Sequence, residues 1–247
     1  MNVYGLIGNP LGHSFSKKYF TEKFEKEGRN DCRFELYPLS TISEFPSLIE
    51  NTKDLRGLAV TIPYKEAVIP FLDDISEEAK KIGAVNCIKI IANRLRGYNT
   101  DAIGFERSLK PLLQPHHAKA LVLGSGGSSK AVQYVLDKLR ITFLVVTRNE
   151  MERAGFINYS AIDENITNDH PLIINCTPVG MYPNEAEQPL LPYHFLHKKN
   201  LLFDLIYRPA ETRFLASGKQ FGATVKNGFE MLMIQAEENW RIWNAEE

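Results

Sequence analysis

The sequence is poor in the features that commit a chain to a special environment. Only 3 of its 247 residues are cysteine. Cys32, Cys87 and Cys176 are widely spaced and odd in number, with no C-x-x-C pair, which argues against a disulfide framework or a zinc site and for reduced thiols in the cytoplasm. No apolar run approaches the length of a bilayer span. The first such run, residues 3–7, has neither a basic segment before it nor a cleavage pattern after it, so we expect neither anchoring nor secretion. There is no Lys/Arg block either: 29 basic and 30 acidic side chains give a formal net charge of −1. The footprint of a nucleic-acid or membrane-surface partner is therefore missing. His194 and His197 stand at i, i+3 but have no nearby Cys or carboxylate in a ligand pattern, and no metal is expected. A small molecule becomes the default ligand, and a monomer or homodimer the expected state.

What is present is alternation. Short apolar runs exchange with amphipathic stretches through most of the chain, the pattern of βα units on a largely parallel sheet, and we expect an α/β fold. Residues 3–8, 33–39 and 57–62 are predicted strands. A helix capped by Ser14 or Ser16 carries Phe15, Tyr19, Phe20 and Phe24 at helical spacing, and further helical patterns start after Pro63 and around residues 76–82. Residues 87–91 and 94–98 form a predicted hairpin across Ala92-Asn93, and Asp101 is the expected cap of the next helix. A second βα series starts near residue 118, with strands at 120–123, 143–146, 172–175 and 201–204, a helix at about 130–139 and a last helix at 229–243. The break between the two series falls at residues 100–117.

Strand 120–123 runs into Gly124-Ser125-Gly126-Gly127-Ser128-Ser129 and then a helix, the context a dinucleotide-binding turn needs. The first glycine permits the tight turn, the second lets backbone approach the pyrophosphate, and a small third residue, here Ser129, lets the helix pack closely. A P-loop is excluded, since Ser129 stands where it needs glycine and Ala131 where it needs a hydroxyl. The next strand ends in Val146-Thr147-Arg148-Asn149. With no carboxylate at that end to bind a ribose 2′-hydroxyl, and a guanidinium suited to a 2′-phosphate, NADP is preferred over NAD. A solvated loop cation is the plainer reading of Arg148.

The first half holds polar residues that individually have ordinary explanations. Lys65 occupies a first helical turn, where the dipole disfavours a cation, but an exposed lysine can bend into water. Asp101, Ser14 and Ser16 could be caps alone. Gln235 is harder to dismiss, lying among Leu232, Met233, Ile234 and Ala236 on an apolar helix, where a buried amide needs partners.

Taken in order along the chain, these motifs resemble the shikimate dehydrogenase family. Residues 8–16, Gly-Asn-Pro-Leu-Gly-His-Ser-Phe-Ser, resemble its substrate-carboxylate loop, and residues 60–65, Val-Thr-Ile-Pro-Tyr-Lys, its catalytic-lysine motif. Residues 83–86 and 97–101 are similar to its Asn and Asp sites. In the second half, residues 124–128 resemble the NADP loop, with 175–181, 204–209 and 227–235 resembling the segments that follow it.

The resemblance implies an N-terminal α/β substrate-binding domain, residues 1–101, with the last helix, about 229–247, packed back onto it, and a Rossmann-like NADP-binding domain, residues 102–228. It implies reversible NADPH-dependent reduction of 3-dehydroshikimate to shikimate in aromatic amino-acid biosynthesis. Lys65 and Asp101 would be catalytic. Ser14, Ser16, Thr61, Asn86, Tyr207 and Gln235 would contact substrate. Gly124, Ser125, Gly126, Gly127, Ser128, Thr147, Arg148, Asn149, Glu77, Leu205 and Gly228 would hold the cofactor. This chain departs from the family in having Thr147-Arg148-Asn149 where Asn-Arg-Thr is common, in carrying the following cation one position late as Arg153, and in a short stretch between Arg153 and residue 172. The alternatives are a quinate/shikimate dehydrogenase using NAD and an inactive nucleotide-sensing paralogue, against which stands the retention of both Lys65 and Asp101.

Overall fold

The structure is a computed structural model and describes residues 1–12, 15–148 and 153–245. Its chain divides into two compact units, Met1–Thr100 with Gln235–Glu247, and Asp101–Ile234.

The first unit contains β1 (Asn2–Gly8), α1 (Phe15–Lys26), β2 (Cys32–Pro38), α2 (Phe45–Asn51), β3 (Leu55–Val60), α3 (Tyr64–Ala67), β4 (Asp74–Ile75), α4 (Glu77–Ile82), β5 (Cys87–Ile91) and β6 (Arg94–Tyr98). The strands lie in the order β2-β1-β3-β5-β6-β4. β1 runs parallel to β2 and β3, whereas β5 is antiparallel to both β3 and β6. Local chemistry explains the helix ends: Ser76 Oγ accepts from Ala79 N at 3.2 Å to start α4, and Gly83, at φ +70°, ends it. The aromatic stripe of α1 buries Phe20 and Phe24, with Phe20 stacked on Phe34 at 4.7 Å. The β5–β6 turn places Ala92 and Asn93 at φ +48° and +65°, the mirror-image turn whose twist matches the strands.

The second unit contains α5 (Asp101–Leu109), β7 (Lys119–Leu123), α6 (Gly127–Lys138), β8 (Thr142–Thr147), β9 (Phe156–Asn158), α7 (Glu164–Asp169), β10 (Leu172–Asn175), β11 (Leu201–Asp204), α8 (Arg213–Gln220) and β12 (Thr224–Lys226). The last helix, α9 (Phe229–Asn244), belongs to this unit as far as Ile234 and to the first unit from Gln235. The sheet order is β12-β11-β10-β7-β8-β9, with every pairing parallel. Numbered within the unit this is the Rossmann order 3-2-1-4-5-6, whose direction reverses between β7 and β10, the place where such sheets bind ligands. Burial on both faces is why β7, β10 and β11 are almost continuously apolar.

The structure changes several local expectations. Helix α6 begins at Gly127, three residues before the expected start, because Gly126 takes the cap position. Asp101 is the first residue of α5 rather than the cap before it, and Ser16 is the second residue of α1, inside the helix. Ser14 and Asn149 lie outside the described residues. His194 sits in a single short turn, Tyr193–Phe195, with its ring against Phe195, and His197 follows that turn, so the two do not share a helix face. Strands β4, β9 and β12 were not expected; at two or three residues they are too short to show a period.

Candidate functional site

In the first unit Thr61, Lys65 and Asn86 collect at one end of the sheet. β1 and β3 are parallel, so Gly8 and Thr61 follow each other across the same end; Thr61 N donates to Ile7 O at 2.9 Å, and a Cβ on Gly8 would overlap the Thr61 methyl. Because β5 is antiparallel to β3, its first residue, Cys87, pairs with Ala59 near the same end, and it also pairs with Tyr98 at the end of β6. Asn86 and the 99–100 segment therefore flank one hairpin mouth. Asn86 N donates to Tyr98 O at 3.0 Å and Val60 N to Asn86 O at 2.8 Å.

Lys65 is held here by its backbone. Tyr64 N donates to Thr61 O at 3.0 Å, the Tyr64 hydroxyl to Leu39 O at 2.6 Å, and Val85 N to Lys65 O at 2.7 Å. The half-buried Lys65 side chain thus rises from a turn fixed on three sides. Ser16 is buried on α1.

A buried polar cluster adjoins this turn. Asn86, Thr100 and Asn239 are each at most 3% exposed. Thr100 N donates to Asn86 Oδ1 at 2.7 Å; Asn86 Nδ2 donates to Thr100 Oγ1 at 3.0 Å and to Gln235 Oε1 at 3.4 Å. Thr100 Oγ1 donates to Asn239 Oδ1 at 2.7 Å, and Asn239 Nδ2 to Gln235 Oε1 at 3.3 Å. Thr100 and Asn239 were not singled out in the sequence. The available signal was the i, i+4 pairing of two amides, Gln235 and Asn239, on one face of an apolar helix. Glu77 is an exposed residue in the first turn of α4, where its carboxylate accepts from Lys80 Nζ at 2.7 Å.

In the second unit the site is made largely of backbone. Gly124 ends β7 at φ +97°, and a Cβ there would come 2.9 Å from Thr177 Cγ2, so both conformation and space call for glycine. Gly126 is different: it caps the twelve-residue α6, and a Cβ added to it would meet nothing within 4 Å. The bare backbone there opens onto space at a helix N-terminus, which fits a pyrophosphate. Ser125, Gly127 and Ser128 continue this turn. Ser129, fully buried, donates from Oγ to Gly124 O at 2.6 Å and accepts from Gln133 Nε2 at 2.9 Å, so the serine in the third position ties the turn to its own helix.

Thr147 ends β8, buried, and the exposed Arg148 follows, its carbonyl accepting from Asn158 Nδ2 at 3.0 Å. The neighbouring Tyr159 phenol is pushed up to about 12, chiefly by burial, against the opposing pull of the Arg148 charge. Arg153 lies over the Phe156 ring at 4.9 Å, a cation–π contact that accounts for this second cation without a ligand.

Past β11, Leu205 N donates to Asn175 O at 3.0 Å and Gly228 N to Ile206 O at 3.0 Å. A Cβ on Gly228 would overlap the Leu205 carbonyl, so this glycine is required by a close approach of two chain segments. The half-buried Tyr207 follows. Beneath lies a second buried polar cluster, whose members Asn175 and Asp204 begin segments named from the sequence without being singled out as partners. Asp204, with no exposed surface, accepts from Asn175 Nδ2 at 3.1 Å, Ile206 N at 3.0 Å and Thr212 Oγ1 at 2.6 Å. Burial raises its carboxyl to about 6 despite these three bonds. Among the described residues no group of three His, Cys, Asp or Glu side chains could hold a metal, and no helix is long and apolar enough to cross a membrane.

Residues 6–88 match the family model described as the shikimate dehydrogenase substrate binding domain. The whole chain is similar to proteins named shikimate dehydrogenase (NADP(+)): 35% identical to that of Caldanaerobacter subterraneus subsp. tengcongensis, over 99% of this chain and 92% of the relative, and 41% identical to that of Clostridium beijerinckii, over 98% and 92%. Among solved structures it is similar to shikimate 5-dehydrogenase from Thermus thermophilus, crystallised in complex with NADP(H) and shikimate, with a TM-score of 0.86, 32% identity, and coverage of 99% of this chain and 94% of that one.

Proposed function

The chain belongs to the shikimate dehydrogenase family, and on that premise we propose that it catalyses the reversible, NADPH-dependent reduction of 3-dehydroshikimate to shikimate, a step of aromatic amino-acid biosynthesis. The observation that carries the reading is the extent of the similarity, which runs through both the unit holding Lys65 and the unit holding the glycine turn. The thiol state of Cys32, Cys87 and Cys176, none of them in a disulfide, supports a cytoplasmic setting.

The residue roles follow from the chemistry. Reducing a ketone places negative charge on its oxygen, so a proton must be given to that oxygen in the same event. Lys65 is the donor: an ammonium on a turn braced by three backbone or hydroxyl bonds keeps its place while its proton leaves. Asp101, buried at the start of α5, is the second catalytic group and accepts from a substrate hydroxyl. Ser14 and Ser16 bind the substrate carboxylate, and Thr61, Asn86, Tyr207 and Gln235 take the remaining oxygens. Sites built of such polar groups reject analogues that leave them unpaired.

When bound, the nicotinamide cofactor supplies the hydride. Residues 124–128 receive its pyrophosphate against the open backbone of Gly126, with Leu205 and Gly228 lining its path. Thr147, Arg148 and Asn149 form the corner for the 2′-phosphate, where the Arg148 guanidinium favours NADP. Glu77, paired with Lys80, is the weakest member of this set.

The test is a spectrophotometric assay of cofactor reduction by shikimate, repeated with NAD and with quinate. The expected result is a kcat/KM for NADP with shikimate at least about tenfold above the other combinations, corresponding to about 1.4 kcal/mol of discrimination. Cofactor binding without any shikimate-dependent reduction would instead identify a sensor, and a preference for NAD with quinate the related dehydrogenase.

A further inference from the structure

The buried cluster around Thr100 has a direction. A backbone N–H can only donate, so Thr100 N fixes Asn86 Oδ1 as an acceptor, and the other end of that amide, Nδ2, as the donor to Thr100 Oγ1 at 3.0 Å. With a lone pair so occupied, the Thr100 hydroxyl has one proton to place. Asn239 Oδ1 at 2.7 Å is nearer than Asn86 Oδ1 at 3.2 Å. Asn239 must then turn its Nδ2 toward Gln235 Oε1, at 3.3 Å, where Asn86 Nδ2 also donates at 3.4 Å. An amide whose oxygen is held by two donors presents its own N–H pair at the opposite end.

We propose that Asn239 is a positioning residue for substrate binding, relaying the polarity of the Thr100 backbone through the Thr100 hydroxyl to Gln235 so that Gln235 meets the substrate as a hydrogen-bond donor to an oxygen lone pair. The proposal rests on the reading of Gln235 as a substrate contact. Asn239 is 1% exposed, so it acts only through its neighbours, and burial makes each misplaced donor or acceptor in the chain costly.

Isosteric replacement reverses the relay. In Asn239→Asp the carboxylate still accepts from Thr100 but cannot donate; its charge draws the Gln235 N–H pair inward against the long 3.4 Å bond from Asn86 Nδ2, and Gln235 offers the substrate an oxygen. Shikimate Kd by titration calorimetry is expected to rise about tenfold, with KM following it and the KM for NADP unchanged. In a Gln235→Ala background the same substitution is expected to leave Kd where Gln235→Ala alone puts it. Asn239→Ala, which buries no charge, serves if the Asp variant does not fold, with a rise of about threefold and the same dependence on Gln235. Thr100→Ser is expected to preserve the relay and Thr100→Val to break it.

An equal rise in Kd with and without Gln235 overturns the proposal, as does a Gln235→Ala protein of unchanged Kd. A wild-type protein that binds shikimate but does not turn it over defeats the functional reading alone, because the calorimetric comparison still decides the relay.

Discussion

The two units solve the same placement problem with different material. Both set their site at the carboxyl ends of parallel strands, β1 and β3 in one, β7 and β10 in the other. In the first unit the antiparallel hairpin β5–β6 brings Asn86 and Thr100 to that end, and the chemistry lies in side chains that bond one another. In the all-parallel second unit the chemistry lies in what backbone is left bare or pressed together, at Gly126 and Gly228. Side-chain sites can lose function while the fold stands, whereas sites made of close backbone approach tie function to stability.

The sharpest separation is expected at Lys65. Lys65→Ala removes the proposed proton donor but leaves the backbone bonds of its turn in place, and kcat should fall about a hundred- to ten-thousandfold with the melting temperature unchanged. A variant that keeps wild-type turnover would break the comparison on its first-unit side.

Asp204 is the exception within the second unit, a side chain that pins the backbone leading to Leu205 and Tyr207. Its pKa rises on folding from the ordinary carboxyl value of 3.8 to about 6, so the folded protein binds more protons than the unfolded chain between those values. Its contribution is fully present below about pH 4 and is lost as pH climbs through about 6, a decline on the order of 3 kcal/mol. Asp204→Asn should flatten this part of the stability profile in denaturant titrations; an unchanged slope would place the titration elsewhere.

The smallest effect, and the most direct test of the contrast, comes from two glycines. Gly228→Ala forces the Leu205 segment to move and should cost about 1–3 kcal/mol of stability. Gly126→Ala enters open space, so stability should hold while the KM for NADP rises about tenfold. Equal loss of stability in both variants would erase the distinction between bare and pressed backbone.

The same contrast governs how much could be seen in the sequence. The glycine turn was legible because its parts lie within six residues, between a strand and a helix whose periods are visible. The strands 172–175 and 201–204 were legible to the residue, since burial on both faces leaves an unbroken apolar run. The Asn86–Thr100–Asn239–Gln235 cluster was not, because Asn86 and Gln235 are 149 residues apart and only the packing of α9 into the first unit makes them neighbours. Lys65 in isolation was indistinguishable from a solvated lysine, and only the order of motifs along the chain raised it above that. Asp204 and Asn175 stood out only as members of the segments 204–209 and 175–181; that they bond each other and Thr212 was not legible, because these are ordinary polar residues until folding encloses them.

The first unit is not continuous in the chain, and that has a consequence for how the protein is made. Trp243 packs on Gly57 so tightly that a Cβ there would overlap the indole, stacks on Tyr4 at 5.1 Å and donates from Nε1 to Ile88 O at 3.0 Å, 155 residues back. On a ribosome, strands β1 to β6 emerge long before this tryptophan exists. Tyr4 and Phe34 on these strands, with Phe20 of α1 stacked on Phe34, must wait without the tryptophan while residues 101–234 are synthesised. The unit whose strands are made before residues 101–234 is therefore the one whose core is closed after them.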